Sequence, residues 1–84
     1  MEAQFEIHRT DNRPFYDGEG YQIFTDAIAR TRHQMFLKSI TQANGSVSGM
    51  IQLIGDNQYY RIQLLLTELK NIPEIRLTYR RVND

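Results

Sequence analysis

The dipeptide Asn44-Gly45 constrains the fold most strongly, because it joins two strand-like runs through a very short turn. A type I′ turn needs positive φ at both central residues, and Asn-Gly accepts this readily. The runs "HQMFLKSIT" before it and "VSGMIQLI" after it are rich in residues that favour strands. The middle of the chain is therefore predicted to be an antiparallel β-hairpin.

Apolar periodicity predicts four further elements around this hairpin. Residues 3–8 and 75–80 alternate between apolar and polar side chains, which predicts a half-buried strand near each end of the chain. Apolar residues recur at helical spacing from Tyr21 to about Arg32 and again from Gln58 to Asn71, which predicts two helices. The stripe predicted for the second helix consists of Tyr59, Ile62, Leu65, Leu66 and Leu69.

Local breakers separate the second helix from its neighbours. Gly55, Asp56 and Asn57 interrupt the third strand and offer a helix N-cap. Pro73 prevents the helix from continuing. The element order is thus β-α-β-β-α-β, and each helix has one apolar stripe to bury.

This order predicts an α+β, ferredoxin-like fold, with both helices on one face of a four-stranded antiparallel sheet. The first and third strands are expected to be central. Residues 1–84 form one domain, because a chain of this length supports a single core.

Composition narrows the classes of function. The chain has ten basic and ten acidic side chains and no Cys, so it offers neither a disulfide nor a thiolate metal site. A neutral chain without a basic stripe is a poor match for nucleic acid. There is no apolar run of transmembrane length, and the first residues lack the layout of a signal peptide. We expect a soluble, cytoplasmic domain, whether or not Met1 is its native start.

The sheet face away from the helices is expected to be polar. Its predicted side chains are Gln4, Glu6, His8, Ser48, Met50, Gln52, Arg76, Thr78 and Arg80. RNA-recognition modules stack bases on aromatic residues of the central strands, and neither predicted central strand offers one on this face.

The second strand is different, because apolar residues fall on both of its faces. We predict a homodimer interface formed by Phe36, Leu37, Ile40 and Met50. A small domain without Cys gains much from such association. One alternative is that Phe15 and Tyr16, from the loop after the first strand, fold over these residues, and another is that they are an ordinary scatter of exposed apolar groups.

The loop "RTDNRPFYDGEGY" offers candidate sites of two kinds. Asp11, Asp17 and Glu19 lack the spacing of a calcium-binding loop, and His8 and His33 lie on different elements, so no metal site is predicted. Gly18 and Gly20 lack the third glycine of a dinucleotide fingerprint, but they would let a small ligand approach the start of the helix.

No constellation of catalytic residues is apparent, and we predict a protein that is not an enzyme. Ser39, Ser46 and Ser48 lie in or near the hairpin, away from any strained turn before a helix. An acylphosphatase-like enzyme shares the topology and would depend on Arg13, but the glycine-rich phosphate loop is missing. The arginines of the last strand, at positions 76, 80 and 81, are typical of a solvated or protected sheet edge.

The closing run "LLLTELKNIPEIRLTYR" resembles the end of ACT-like regulatory domains, a leucine-rich helix followed by Pro and a strand. The matching residues are Leu66, Leu69, Ile72, Pro73 and Ile75. That resemblance implies a small ligand, such as an amino acid, at a dimer interface beside the turn before the first helix. Asp17 and Gly20 match that turn, although Glu19 stands where Pro is usual, so the ligand-binding residues implied are Asp17, Gly18 and Gly20.

The ending also resembles the soluble C-terminal domain of the MgtC/SapB family of bacterial membrane proteins, although Tyr79 and Arg80 stand where a Trp is expected. Together these features predict a non-catalytic regulatory or interaction domain without a cofactor, dimeric and able to sense a small ligand. The alternative is a purely structural domain coupled to another part of a longer membrane protein, with no membrane insertion by this segment.

Overall fold

The computed structural model describes residues 1–83 and confirms the predicted element order. The elements are β1 (Glu2–Arg9), α1 (Glu19–Thr31), β2 (Phe36–Ala43), β3 (Ser46–Gln52), α2 (Gln58–Lys70) and β4 (Ile75–Asn83). They form one four-stranded sheet in the order β2-β3-β1-β4, and every neighbouring pair is antiparallel. The chain therefore has the predicted ferredoxin-like fold, with β1 and β3 central.

Element boundaries differ modestly from the predicted ones. The helix α1 begins two residues before Tyr21, and β2 begins at Phe36 rather than at His33. Met35 is buried in the connection between them instead of lying in the strand. None of the helices described within residues 1–83 has the length and apolar character needed to cross a membrane.

The hairpin between β2 and β3 turns as predicted. Asn44 has φ of 53° and Gly45 has φ of 82°, the two positive values that a type I′ turn requires. Because the register is fixed at this turn, Ala43 pairs with Ser46 and Gln42 with Val47.

The hydrophobic core lies between the helices and one face of the sheet. Its buried members are Ala3, Phe5, Ile7, Phe15, Phe24, Ala27, Met35, Val47, Ile51, Leu53, Ile62, Leu65, Leu66, Leu69 and Ile75. The strands β1, β3 and β4 contribute alternate residues to it, as their period of two predicts. The intervening polar residues lie on the opposite sheet face, here called the open face.

Polar pairs connect the strands across the open face. Arg80 Nη2 donates to Gln4 Oε1 at 2.7 Å, and Lys38 forms an ion pair with Glu2. The register also sets His8 directly opposite Arg76. The open face is therefore a hydrogen-bonded polar surface along β1 and β4.

A β-bulge interrupts the pairing of β2. Leu37 pairs with Ile51 and Ser39 pairs with Met50, so Lys38 is an extra residue in this strand. Such a bulge breaks the alternation of side chains between the two faces.

The start of α2 differs from the sequence prediction. Asn57 occupies the N-cap position, but its φ is 59° and its side chain makes no capping hydrogen bond. Tyr59, predicted as part of the apolar stripe, is 60% exposed, whereas Arg61 is buried. Arg61 occupies the position four residues before Leu65, so the buried stripe begins with an arginine.

The Arg61 guanidinium binds backbone carbonyls from two connections. Nη1 donates to the carbonyl of Gln34 at 3.0 Å, and Nη2 donates to those of Ile54 at 2.6 Å and Asp56 at 2.8 Å. Nε also donates to the Asp56 carbonyl. These bonds satisfy the buried charge and hold the α1–β2 and β3–α2 connections together at one end of the domain.

We expect Arg61→Met to lower the free energy of unfolding by about 2–4 kcal/mol, because the carbonyls lose a charged donor that methionine cannot replace. Urea unfolding followed by circular dichroism measures this. Arg30→Met is the matched control: Arg30 is exposed, and its bond from Nε to Glu68 at 2.9 Å should contribute less than about 1 kcal/mol. Equal losses in the two variants would contradict this role of Arg61.

Candidate functional site

The loop from Thr10 to Gly18 is held to the domain by Arg9, the last residue of β1. Arg9 Nη2 donates to Asp11 Oδ2 at 2.8 Å, and Nη1 donates to Glu19 Oε2 at 3.2 Å. One guanidinium thus joins the end of β1, the loop and the first turn of α1. Two of the three acids considered as metal ligands in the sequence, Asp11 and Glu19, are instead engaged in ion pairs.

The Asp11 carboxylate also accepts a hydrogen bond from the backbone N–H of Arg13, at 3.0 Å from Oδ1. The hydrogen bond from Arg9 and this backbone bond hold the pKa of the Asp11 carboxyl well below its usual range. The same bond to Asp11 raises the pKa of Arg9. Asp11 therefore stays ionised and fixes the first turn of the loop at neutral pH.

The two aromatic residues of the loop differ in burial. Phe15 is buried in the helix-side core, and its carbonyl accepts a hydrogen bond from Gln42 Nε2 at 3.2 Å. Tyr16 is 77% exposed. The alternative in which both fold over β2 is wrong: Phe15 belongs to the main core, and the contact with β2 is a polar one.

The first turn of α1 is already supplied with negative charge. Glu19 Oε1 accepts a hydrogen bond from the backbone N–H of Tyr16 at 2.9 Å, at the end of the helix where an acid is favoured. Gly18 precedes the helix in a left-handed conformation with φ of 83°. Because Glu19 already supplies negative charge at this end, an anionic ligand is disfavoured at the start of α1.

A cleft of about 190 Å³ lies between this turn and strand β2, and we call it the α1–β2 cleft. Its lining residues are Asp17, Gly18, Gly20, Tyr21, Ile40, Gln42 and Val47. All three residues predicted to bind a ligand therefore lie together in one cleft. Sequence reasoning missed the contribution of Gln42 and Val47, which only the hairpin register brings to this point.

The two glycines of the cleft have different structural roles. A Cβ on Gly20 would lie 2.6 Å from Val47 Cγ1, so Gly20 is required for close packing of α1 on β3. A Cβ on Gly18 would have nothing within 4 Å, so the backbone there is open to a ligand. Asp17, also exposed, has no hydrogen-bond or ion-pair partner among residues 1–83.

The four residues predicted to form a dimer interface lie on both faces of the sheet. Phe36 pairs with Gln52, and Met50 pairs with Gln4, so both residues lie on the open face. Leu37 and Ile40 face the helices, and Ile40 lines the α1–β2 cleft. Phe36 and Ile40 are 45% and 38% exposed, so both faces of β2 present apolar surface.

The remaining candidates for chemistry do not converge. His8 Nε2 lies 3.3 Å from Glu6 Oε1, and Ser48 Oγ donates to Glu6 Oε2 at 3.4 Å. A hydrolytic triad needs the imidazole between the hydroxyl and the carboxylate, whereas here the carboxylate lies between them. His33 is remote and packs edge-on against Tyr60, and no group of three potential metal ligands occurs in the described part of the chain.

The other two serines in or near the hairpin, Ser39 and Ser46, are not part of a triad-like arrangement either. Ser46 Oγ donates to the carbonyl of Ala43, and Ser39 is exposed on β2.

The arginines of β4 differ from one another: Arg80 donates to Gln4, whereas Arg81 lies over the ring of Tyr59 at 5.1 Å. Arg13 is exposed in the loop.

No protein-family model matches the sequence, and the curated proteins show no significant match either. The ferredoxin-like fold therefore rests on the geometry described above. The likenesses to ACT-like domains and to the MgtC/SapB domain remain resemblances of layout and of short motifs.

We expect Gly20→Ala to destabilise the domain by about 1–3 kcal/mol, because the added methyl group overlaps Val47. Combining it with Val47→Ala should restore part of this loss, since the smaller residue makes room for the methyl group. A double-mutant cycle from urea unfolding measures the coupling. Strictly additive losses would show that the two residues do not share this contact.

Proposed function

We propose that this chain is a non-catalytic regulatory domain that forms a homodimer through strand β2 and binds a small ligand in the α1–β2 cleft. The observation that carries the proposal is the double role of β2. Within residues 1–83 its outer edge has no partner strand, and its residues Ile40 and Gln42 form one wall of the cleft. A ligand and a second copy would therefore contact the same strand.

The proposal that β2 self-associates is supported by a comparison of the two sheet edges. The edge strand β4 carries Arg76, Arg80 and Arg81, which would repel one another in a pair of β4 strands. In β2, residues 39–43 carry no charge and pair regularly with β3. The only charged side chain of β2 is Lys38, which is neutralised by Glu2.

Two-fold symmetry fixes how two such strands would meet. An antiparallel pair centred on Thr41 would set Ser39 opposite Ala43 and Ile40 opposite Gln42 of the second copy. The bulge at Lys38 of each copy would limit the pairing at both ends. Because Ile40 and Gln42 both line the cleft, each cleft would then border the dimer axis.

The chemistry of the cleft favours a particular class of ligand. Ile40 and Val47 present methyl groups, whereas Asp17 presents a carboxylate without a partner in residues 1–83. A small molecule with an apolar part and an amine or other donor group would satisfy both. The resemblance to ACT-like domains, which bind amino acids at this place in the fold, supports the same class.

The homodimer is tested by Thr41→Arg. Wild-type protein should be dimeric at micromolar concentration, and the variant should dissociate at least about tenfold more easily, because two arginines would meet at the two-fold axis. Sedimentation equilibrium measures the dissociation constant. Thr78→Arg is the matched control, since Thr78 is an exposed threonine on the opposite edge strand, and it should leave the dimer intact.

A wild-type chain that is monomeric throughout the micromolar range would overturn the dimer. Equal weakening by Thr41→Arg and Thr78→Arg would show that β2 is not the interface, even if a dimer forms.

Ligand binding is tested by a thermal-shift screen of amino acids and small amines. A ligand at one hundred times its Kd should stabilise the domain by about 2.7 kcal/mol, or roughly 10–20 °C in Tm. Asp17→Asn should remove most of this shift. Asp56→Asn is the control, because Asp56 is exposed in the β3–α2 connection at the other end of the domain.

A screen without any shift would reject the sensing role. With the dimer intact, that result would favour the alternative, a structural interaction domain within a longer protein. A shift that is equal in wild type and Asp17→Asn would place the ligand elsewhere.

A further inference from the structure

A second cleft, of about 120 Å³, lies at the end of the sheet where the hairpin turns, and we call it the basic cleft. Four cationic or potentially cationic side chains line it: His8 and Arg9 from β1, Arg13 from the loop and Arg76 from β4. The hairpin turn and Asn12 complete its walls. The cleft is separate from the one assigned above to a small ligand.

The positive charge of the basic cleft is only partly balanced. Arg9 is paired with Asp11 and Glu19, as described above. Neither Arg13 nor Arg76 has a carboxylate within 4.0 Å among residues 1–83.

The contacts of Arg76 leave most of its donors free. Arg76 Nη2 donates to Asn12 Oδ1 at 3.3 Å, which is a neutral acceptor. The strand register sets it directly opposite His8, another potential cation. The charge of Arg76 is therefore not balanced by a carboxylate among residues 1–83, and an anion beside it would be favoured.

Two acids that contact lining residues of the cleft, Asp11 and Glu6, are already bound to other partners. Both oxygens of Asp11 bind Arg9, and Oδ1 also accepts the backbone N–H of Arg13. Glu6 accepts from Ser48 and lies beside His8. These acids orient the walls of the cleft and leave the guanidinium groups of Arg13 and Arg76 available.

We propose that the basic cleft binds a small oxyanion of the phosphate type between Arg13 and Arg76. A guanidinium presents a planar fork of N–H donors that matches phosphate oxygens, and two such forks come here from different elements. The volume accommodates one tetrahedral oxyanion, so the group is either free phosphate or the phosphate of a monoester whose remainder lies outside the cleft.

The test is a titration of the full chain with inorganic phosphate and, separately, with glycerol phosphate. Backbone amide NMR shifts are followed while sodium chloride keeps the ionic strength constant. Shifts that saturate at residues 8–13, 44–45 and 76 with inorganic phosphate identify the free ion as sufficient. Tighter binding of glycerol phosphate identifies the monoester as the better form.

Arg13→Gln and Arg76→Gln should each weaken binding by about tenfold or more, the change expected from losing a charge-assisted hydrogen bond. Arg32→Gln is the matched control, since it removes the same charge at the C-terminal end of α1 and should leave the affinity unchanged. Unchanged Tm values show that each variant is folded.

Three results would overturn the proposal. These are the absence of saturable shifts with both phosphates, unchanged affinity in Arg13→Gln and Arg76→Gln, and equal weakening by Arg32→Gln, which would indicate a general charge effect. Each of these is independent of the dimer and of the α1–β2 cleft, so this site and the proposed function fail separately.

Discussion

The position of α1 on the sheet depends on two reciprocal contacts with β3, each between a large side chain and a glycine. Val47 of the strand packs against Gly20 of the helix, where a Cβ would lie 2.6 Å away. Phe24 of the helix packs against Gly49 of the strand, where a Cβ would lie 2.9 Å from the ring. Because each element provides the space that the other fills, the two backbones approach closely. This approach fixes the first turn of α1, and with it the depth of the cleft beside β2.

Strand β2 receives little cover from the rest of the domain. Seven of its eight residues are exposed, and only Leu37 is half-buried. The helix α1 packs closely on β3 at Gly20 and Gly49, whereas most of β2 is exposed to solvent. A strand in this position has an unpaired edge and incompletely covered apolar groups such as Ile40. That combination is stabilised by association, and it is why the proposed ligand and the proposed partner both involve β2.

The fold could be predicted because its determinants are local: the alternation in β1 and β4, the helical stripes, and the turn at Asn44-Gly45. The candidate site could be predicted only in part. Asp17, Gly18 and Gly20 are close in sequence, but Gln42 and Val47 join them through the pairing of β2 with β3. The bulge at Lys38 leaves no clear sequence signal, and it sets Phe36 and Ile40 on opposite faces although they are four residues apart. Periodicity also favoured Tyr59 over Arg61, because the carbonyls that satisfy a buried guanidinium come from distant connections.

The loop between β1 and α1 borders both clefts, and its rigidity has a consequence for each. Arg9 and Asp11 fix its beginning, Gln42 holds the carbonyl of Phe15, and the buried Phe15 ring anchors its middle. A loop that is ordered in advance does not lose further conformational entropy when a ligand binds beside it. The same anchors place Asp17 toward the helix side of the sheet and Arg13 toward the hairpin turn. This short segment therefore lies between the cleft lined by Asp17 and the cleft lined by Arg13 and Arg76.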